Sequence, residues 1–248
     1  MRAILIAAGS GIRLGNITKN LPKPLVDING KSIIEREITL LKKNGINDIV
    51  IIIGPHKEKF LFKNCKYVFD SFYDNHDQLG SLMAAKAKIK GDLIIFFADI
   101  LFDNSILQQI LNVKADIAVA IDLDWEKSYL ERSDNPPSEA DKVLIENGKI
   151  LKISKNIKKN SGRTVGEFLG IVKLSPYGSN YLIKKYEELQ KIHLGRFHDA
   201  ISLDNAKLID ILQDIIESGL NIVPVIIKGK WCEIDTLKDL ERAKKIFN

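Results

Sequence analysis

The sequence is poor in cysteine and histidine: its 248 residues hold 2 cysteines, Cys65 and Cys232, and 4 histidines. Two isolated thiols build neither a disulfide framework nor a zinc spacing, and they fit a reducing cytoplasm. His56, His76, His193 and His198 lack metal-ligand spacing and read as surface or loop residues; His198, beside Asp199, also has a reading as a substrate contact. No apolar run is long enough to span a membrane, so no membrane partner is expected. The opening run, Ala3 to Ala8, is too short for the apolar core and cleavage site of a secretory signal. Low-complexity linkers and internal repeats are missing, and the expectation is one domain, 1–248, with halves 1–124 and 125–248. No aromatic and basic interleaving marks a nucleic-acid reader, and a formal charge of +5 is too diffuse to argue for one. The lysine-rich stretches Lys155 to Lys159 and Lys184-Lys185 read as solvated faces.

What is present begins at residue 3. Ala3-Ile4-Leu5-Ile6-Ala7-Ala8 is a short apolar run of the kind that forms a central parallel strand. Gly9-Ser10-Gly11-Ile12-Arg13 follows at once. Glycines after a strand let backbone N–H groups approach an anion closely. Arg13 adds a planar fork of donors, and Lys23 in Pro22-Lys23-Pro24 adds a compact charge. A nucleoside triphosphate needs such partners. The loop lacks the closing Gly-Lys-Ser/Thr of a Walker motif and the spacing of a dinucleotide fingerprint.

Strand and helix patterns alternate through the first half. Strands are expected over 2–7, 48–54, 66–69, 92–97 and 117–123, and helices over 32–44, 57–64, 80–88 and 105–111. Ser32 with Glu35 reads as a capping box. The second half changes character: a hairpin over 142–153 turning at Asn147-Gly148, strands over 166–174 and 221–228, and helices over 179–190, 204–218 and 235–247. Pro224 makes the last strand an edge or bent one. The expected class is α/β: a doubly wound, mostly parallel, Rossmann-like mixed sheet with helices on both faces and a small acceptor-binding cap over 125–200. Ligands in such sheets bind at the carboxyl ends of the strands, where the glycine loop and Asp99 both fall.

Asp99 follows the buried run Ile94 to Ala98 and is placed to hold a metal; its other reading is a loop or cap residue. Asp235 in Glu233-Ile234-Asp235-Thr236 has the same two readings. Asp103 is a second-choice ligand and otherwise a helix N-terminal acid. Asp122, Asp124, Glu139 and Glu167 are acids that suit a cationic group, with Trp125 and Tyr129 available for cation–π contact. Against this stand Asp122 and Asp124 as loop caps and Trp125 as core. Arg132 reads as an anion contact or as an exposed arginine without a role.

Ala7-Ala8-Gly9, Gly11, Arg13 and Pro22-Lys23-Pro24 together resemble the signature of the nucleotidyltransferase superfamily, of GT-A-like fold. The second half, including Arg132, Glu139, Lys142, Gly166-Glu167 and Glu233, resembles the choline-phosphate and phosphonate cytidylyltransferases more than the sugar-phosphate enzymes. The resemblance implies CTP bound by Ala7, Ala8, Gly9, Ser10, Gly11 and Arg13. It implies that Gln78, Gly80 and Ser81 read the base and ribose, although Ser81 also reads as a helix cap beside a loop glutamine. It implies Mg²⁺ on Asp99 and Asp235, catalysis by Lys23 and Arg13, and an acceptor site from Asp122, Asp124, Trp125, Arg132, Glu139, Lys142, Glu167 and Glu233. The expected reaction is CMP transfer from CTP to phosphocholine, 2-aminoethylphosphonate or a similar acceptor, in the cytoplasm and in a homodimer, the commonest assembly. Two alternatives stand beside it: a sugar- or inositol-phosphate nucleotidylyltransferase, and a non-catalytic nucleotide-binding regulator. The joint presence of Arg13, Lys23, Asp99 and Asp235 argues against the second.

Overall fold

The structure is a computed structural model and describes residues 1–9, 11–130, 132, 134–158 and 162–248. Ser10, expected in the nucleotide loop, lies outside the described residues. In chain order the strands are β1 (Arg2–Ala7), β2 (Asp27–Ile28), β3 (Lys31–Ser32), β4 (Asp48–Ile53), β5 (Cys65–Phe69), β6 (Leu93–Phe97), β7 (Ile100–Phe102), β8 (Ile117–Asp122), β9 (Lys142–Glu146), β10 (Lys149–Ser154), β11 (Thr164–Leu174), β12 (Val223–Ile226) and β13 (Trp231–Glu233). The α-helices are α1 (Ile33–Lys43), α2 (Gln78–Ala84), α3 (Asn104–Leu111), α4 (Pro176–Ile192), α5 (Leu208–Glu217) and α6 (Leu237–Ile246).

Nine strands form one sheet in the order β10-β9-β11-β6-β1-β4-β5, with β8 and then β12 on the other edge of β11. β1, β4, β5 and β6 are parallel, while β11 runs against β6, β8 and β9. The mixed, mostly parallel sheet is therefore as expected. All five residues of β6 are buried. Side chains alternate across a strand, so both faces of the sheet are covered there. Burying each such side chain contributes roughly 1.5–3 kcal/mol. β12 carries Pro224 and pairs with β8 alone among the described residues, as an edge strand can.

The long strand β11 changes neighbour at Gly170. Before it, Thr164 to Glu167 pair with β9; after it, Ile171 to Leu174 pair with β6. Gly170 has φ +71, and a Cβ there would meet the Phe97 ring at 2.2 Å. Only glycine can make this turn so close to β6. β6 and β9 therefore part along one edge of β11, and a cleft opens between them.

Two expectations fail locally. The helix expected over 57–64 is only a 3-10 turn, Lys57–Lys59, because Phe60 continues in extended form into the core and too few residues remain to offset helix nucleation. Residues 204–207 precede α5 rather than belonging to it. Asp103 caps α3 through Ser105 N and Ile106 N, so the helix-terminal reading holds and not the metal one. The pair β7 and β13 was not foreseen, and it matters most. It sets Glu233 opposite Ile100 and lets Ile234 N bond Asp99 O at 3.0 Å, which brings the two halves of the candidate metal site together.

Candidate active site

The N-terminal loop folds around Lys23. Gly11 has φ +62, and a Cβ there would meet Lys23 Cβ at 2.7 Å. The glycine thus makes room for the lysine as well as exposing backbone. Thr18 Oγ1 fastens the loop by donating to Gly11 O at 2.7 Å. Lys23 Nζ reaches Asp235 Oδ1 at 2.6 Å and Asp99 Oδ2 at 2.9 Å. Arg13 Nη2 joins the same Asp235 Oδ1 at 2.8 Å, and Asn135 Nδ2 donates to Oδ2 at 3.0 Å. Burial opposes charge on both main partners. Even so, the Lys23 ammonium is held above its usual value by Asp99, Asp235 and Glu233. The Asp235 carboxyl is held below its usual value by Lys23, Arg13 and Arg132.

Helix α6 supplies the rest of the scaffold. Asp239 accepts from Asp235 N, Thr236 N and Thr236 Oγ1, which fixes the turn that carries Asp235. Arg132 is buried, with Nε 2.7 Å from Asp239 Oδ1 and Nη2 3.3 Å from Glu233 Oε2. It neutralises this acidic corner and lines neither cavity, so its expected contact with the acceptor is withdrawn. Glu233 is pushed up to about 8, first by burial and then by the charges of Asp235 and Asp99. Behind them Glu37 of α1 is buried with neither oxygen hydrogen-bonded, and burial, then Asp99, push its carboxyl well above the usual range.

Two cavities meet at this cluster. The first, about 340 Å³, is lined by Ala7, Ala8, Gly9, Gly11, Arg13, Lys23, Gln78, Ser81, Asp99 and Asp235. These were expected. Tyr73, His76 and Asp77 line it too and were missed. His76, read from sequence as a surface residue, is held by the buried Asp70, with Nδ1 2.9 Å from Oδ1. Ser81 donates to Asp70 Oδ2 at 2.8 Å, so its hydroxyl is already engaged. Gly80 is corrected: it lies inside α2, where a Cβ would strike Asp204 O at 2.5 Å, and it serves packing rather than base recognition. His198 lines neither cavity.

The second cavity, about 450 Å³, occupies the cleft between β6 and β9. Glu139, Glu167 and Glu233 line it as expected, and Arg13, Gln78, Asp99 and Asp235 are shared with the first. Asp122, Asp124, Trp125 and Lys142 do not line it. Asp122 accepts from Trp231 Nε1 at 2.8 Å and from Asp124 N at 2.8 Å, so it positions Trp231 instead. Asp124 points to solvent and pairs with Lys127 at 2.7 Å. Trp125 is buried against Tyr129, Ala140 and Val165, as its core reading had it. Lys142 donates to Lys155 O at 2.8 Å. The Tyr129 ring faces Arg132 at 4.8 Å, and its hydroxyl donates to Glu167 Oε1. Missed lining residues are Asn135, Asp141, Lys155, Lys207 and Trp231. The lysine-rich run had hidden Lys155, which is only 26% exposed and not on a solvated face.

A metal ion is consistent with this donor set. Carboxylate oxygens of Asp99, Glu233 and Asp235 lie within 4.8 Å of one another, and Asp99 Oδ1 is buried without a partner. A glycine turn after β1, a lysine between two acids and a second cavity beside them define a nucleotidyltransferase. Residues 3–149 match the MobA-like NTP transferase domain, and the chain belongs to that family. The Campylobacter jejuni protein named CTP:phosphoglutamine cytidylyltransferase is 33% identical over 97% of this chain and 98% of its own. Choline-phosphate cytidylyltransferase of Streptococcus pneumoniae is 42% identical over 42% of this chain and 47% of its own. The solved structure of CTP:phosphocholine cytidylyltransferase from that organism superposes with TM-score 0.76 at 23% identity, covering 100% and 99% of the two chains. Among the described residues no helix is long and apolar enough to cross a membrane.

Proposed function

We propose that this enzyme transfers CMP from CTP to a small acceptor bearing a phosphate or phosphonate, with Mg²⁺ as cofactor and pyrophosphate as the second product. The observation that carries the reading is the junction of the cavities. Arg13, Asp99 and Asp235 line both, and Lys23 bridges the two carboxylates. Two anionic substrates entering from either side would meet there in reacting geometry. The relatives named for cytidylyl transfer to phosphoglutamine and choline phosphate support CTP and a phosphorylated acceptor.

In this reading the triphosphate lies along the Gly9 to Gly11 turn, where nothing stands within 4 Å of a Cβ built on Gly9. Arg13 and Lys23 leave their carboxylate partners, Arg13 for the β- and γ-phosphates and Lys23 for the α-phosphate. An acceptor oxygen attacks the α-phosphorus, the bond to the oxygen bridging to the β-phosphorus breaks, and pyrophosphate leaves in line. The acceptor is already an anion near neutral pH, so no strong base is required, and no covalent enzyme intermediate forms. Asp99, Asp235 and Glu233 would hold the Mg²⁺, which supplies positive charge to the phosphates being joined and separated. Glu167 has one buried oxygen without a partner, which favours an acceptor that also carries a hydrogen-bond donor, an ammonium included.

The test is pyrophosphate release with Mg²⁺ across five nucleoside triphosphates and a panel of acceptors. Release with CTP and a phosphate or phosphonate carrying an amine is expected. Release only with sugar or inositol phosphates would replace the acceptor class, and silence across the panel would overturn the reading.

A further inference from the structure

The first cavity has a wall that the phosphates do not need. Opposite Gly9, Gly11, Arg13 and Lys23 stand Tyr73, His76, Asp77, Gln78 and Ser81. Asp70 organises this wall from behind. It follows β5, its backbone N–H donates to Ile53 O at 2.9 Å, and the residue is fully buried. Three donors meet its carboxylate: Phe72 N at 3.0 Å, Ser81 Oγ at 2.8 Å and His76 Nδ1 at 2.9 Å. A buried carboxylate needs such partners. A carboxylate only accepts, so Nδ1 carries the proton, and Nε2 of the neutral ring is left as an acceptor. The ring is also fixed in place. Gly80 lies against it, where a Cβ would meet Cγ at 2.6 Å and Cδ2 at 2.7 Å, and the Phe72 ring stands 5.8 Å away. Among the described residues Nδ1 is engaged and Nε2 has no hydrogen-bond partner, while the side chain is 16% exposed where it lines the cavity. The neighbouring groups are engaged or less selective. Ser81 donates to Asp70, Gln78 Oε1 accepts from Leu208 N at 3.2 Å, and Asp77 caps α2 through Gln78 N at 2.7 Å. The Tyr73 hydroxyl donates and accepts alike.

We propose that His76 Nε2 selects the base by accepting a hydrogen bond from the exocyclic amine of cytosine, with Asp70 as the positioning residue that holds the tautomer. This rests on the reading of the reaction given above and deepens its nucleotide half. The phosphates occupy the glycine turn, so the base falls to the opposite wall. Uracil carries an oxygen where cytosine carries the amine, and two acceptors then face each other with no proton between them. A site built to bond a substrate N–H discriminates strongly against the analogue that lacks it. Gly80 serves the base indirectly, by leaving room for the His76 ring.

Calorimetry on the full chain with Mg²⁺ tests this, using CTP and UTP analogues that carry a methylene between the α- and β-phosphorus, so that affinity is read without turnover. The wild type is expected to bind the cytidine analogue about 100-fold more tightly than the uridine one. His76→Phe keeps a ring beside Gly80 and removes both nitrogens; Asp70→Asn releases the tautomer. Each is expected to reduce the preference at least ~10-fold. Inorganic tripolyphosphate, which has no base, should bind wild type and variants alike and so report that the glycine turn is folded. A measurement on the wild-type chain stands apart from the variants. With ¹⁵N-labelled histidine, one of the four histidines is expected to show an unprotonated Nε2 whose NMR signal shifts on adding the CTP analogue and stays in place with the UTP analogue. Equal affinity of the wild type for the two analogues, a preference that His76→Phe retains, or no histidine signal that responds to the CTP analogue alone would overturn base selection by His76. No binding of either analogue would overturn the CTP reading with it. A preference lost in the variants, with no pyrophosphate release from CTP and any acceptor, would overturn the reaction and leave base selection by His76 standing.

Discussion

The two cavities are built by different means. One wall of the first is made locally, by Ala7, Ala8, Gly9, Gly11 and Arg13 and by Lys23, which reaches back to them, while Tyr73, His76, Asp77, Gln78 and Ser81 close the opposite side. Its donors are backbone N–H groups and two cations, and the loop is held locally by Gly11 and Thr18. The second is made of side chains from segments spread between Arg13 and Asp235, brought together by the β11 switch at Gly170 and the small β7 and β13 pair. A triphosphate is the same in every substrate of its class, so a short backbone cradle suffices. An acceptor varies, so its site draws on positions that can change one at a time without disturbing the nucleotide. In the proposed reaction, bond making and breaking fall where the two cavities meet.

The strongest way to break this comparison is at the junction. Lys23→Ala is expected to lower kcat by ~10²–10³ with part of the CTP affinity retained, since a preorganised charge is lost where the transition state needs it. Near-wild-type kcat in single-turnover kinetics would remove Lys23 from the mechanism. Asp235→Asn comes next: kcat falls by about 10²-fold and the Mg²⁺ concentration for half-saturation rises. A metal titration showing no rightward shift would argue that Asp235 is only a partner of Lys23 and Arg13.

Gly170→Ala strikes mainly the second cavity, which Gly170 lines, although Phe97 lines both. The residue has φ +71 and would press on Phe97, so a loss of about 1–3 kcal/mol in a denaturant titration is expected. KM should rise more for the acceptor than for CTP; an equal rise in both would mean that the cavities are not separable. Glu167→Gln sharpens the same point through pH. Burial pushes the Glu167 carboxyl up to about 8, although Tyr129 and Arg132 favour its charge. A carboxyl raised in the folded state binds its proton more tightly folded than unfolded. Its contribution to stability is therefore full at low pH and is lost as pH rises from the ordinary glutamate range toward about 8. The Tm of Glu167→Gln relative to wild type should climb across that window while acceptor affinity falls. A difference that does not change with pH would show that Glu167 is charged throughout. Smallest of all is Asp124→Ala, at an exposed pair with Lys127. No change in acceptor KM is expected, and a clear increase would return Asp124 to the cavity.

Legibility followed the same division. The loop residues, Lys23, Asp99 and Asp235 were readable because each lies at a strand end or in a dense local motif. Among the acids assigned to the acceptor, Glu139, Glu167 and Glu233 line its cavity while Asp122 and Asp124 do not, although all five are the same chemistry in sequence. Asp122 on β8 stands directly opposite Glu167 on β11, yet its oxygens go to Trp231 and Asp124. Lys155 looked like part of a solvated run because neighbouring lysines conceal which one turns inward.

The sequence by itself determined the apolar strands of the sheet core and the glycine, arginine and lysine of the nucleotide loop. Those depend on periodicity and on near neighbours, which a chain displays along its length. Tertiary structure alone decided which acids face a cavity, that Arg132 is spent on Asp239 and Glu233, and that Lys155 and Lys207 line the second cavity together. Those outcomes depend on where β11 changes partner and on a three-residue strand pair closing over more than a hundred residues, and neither is written at any one position.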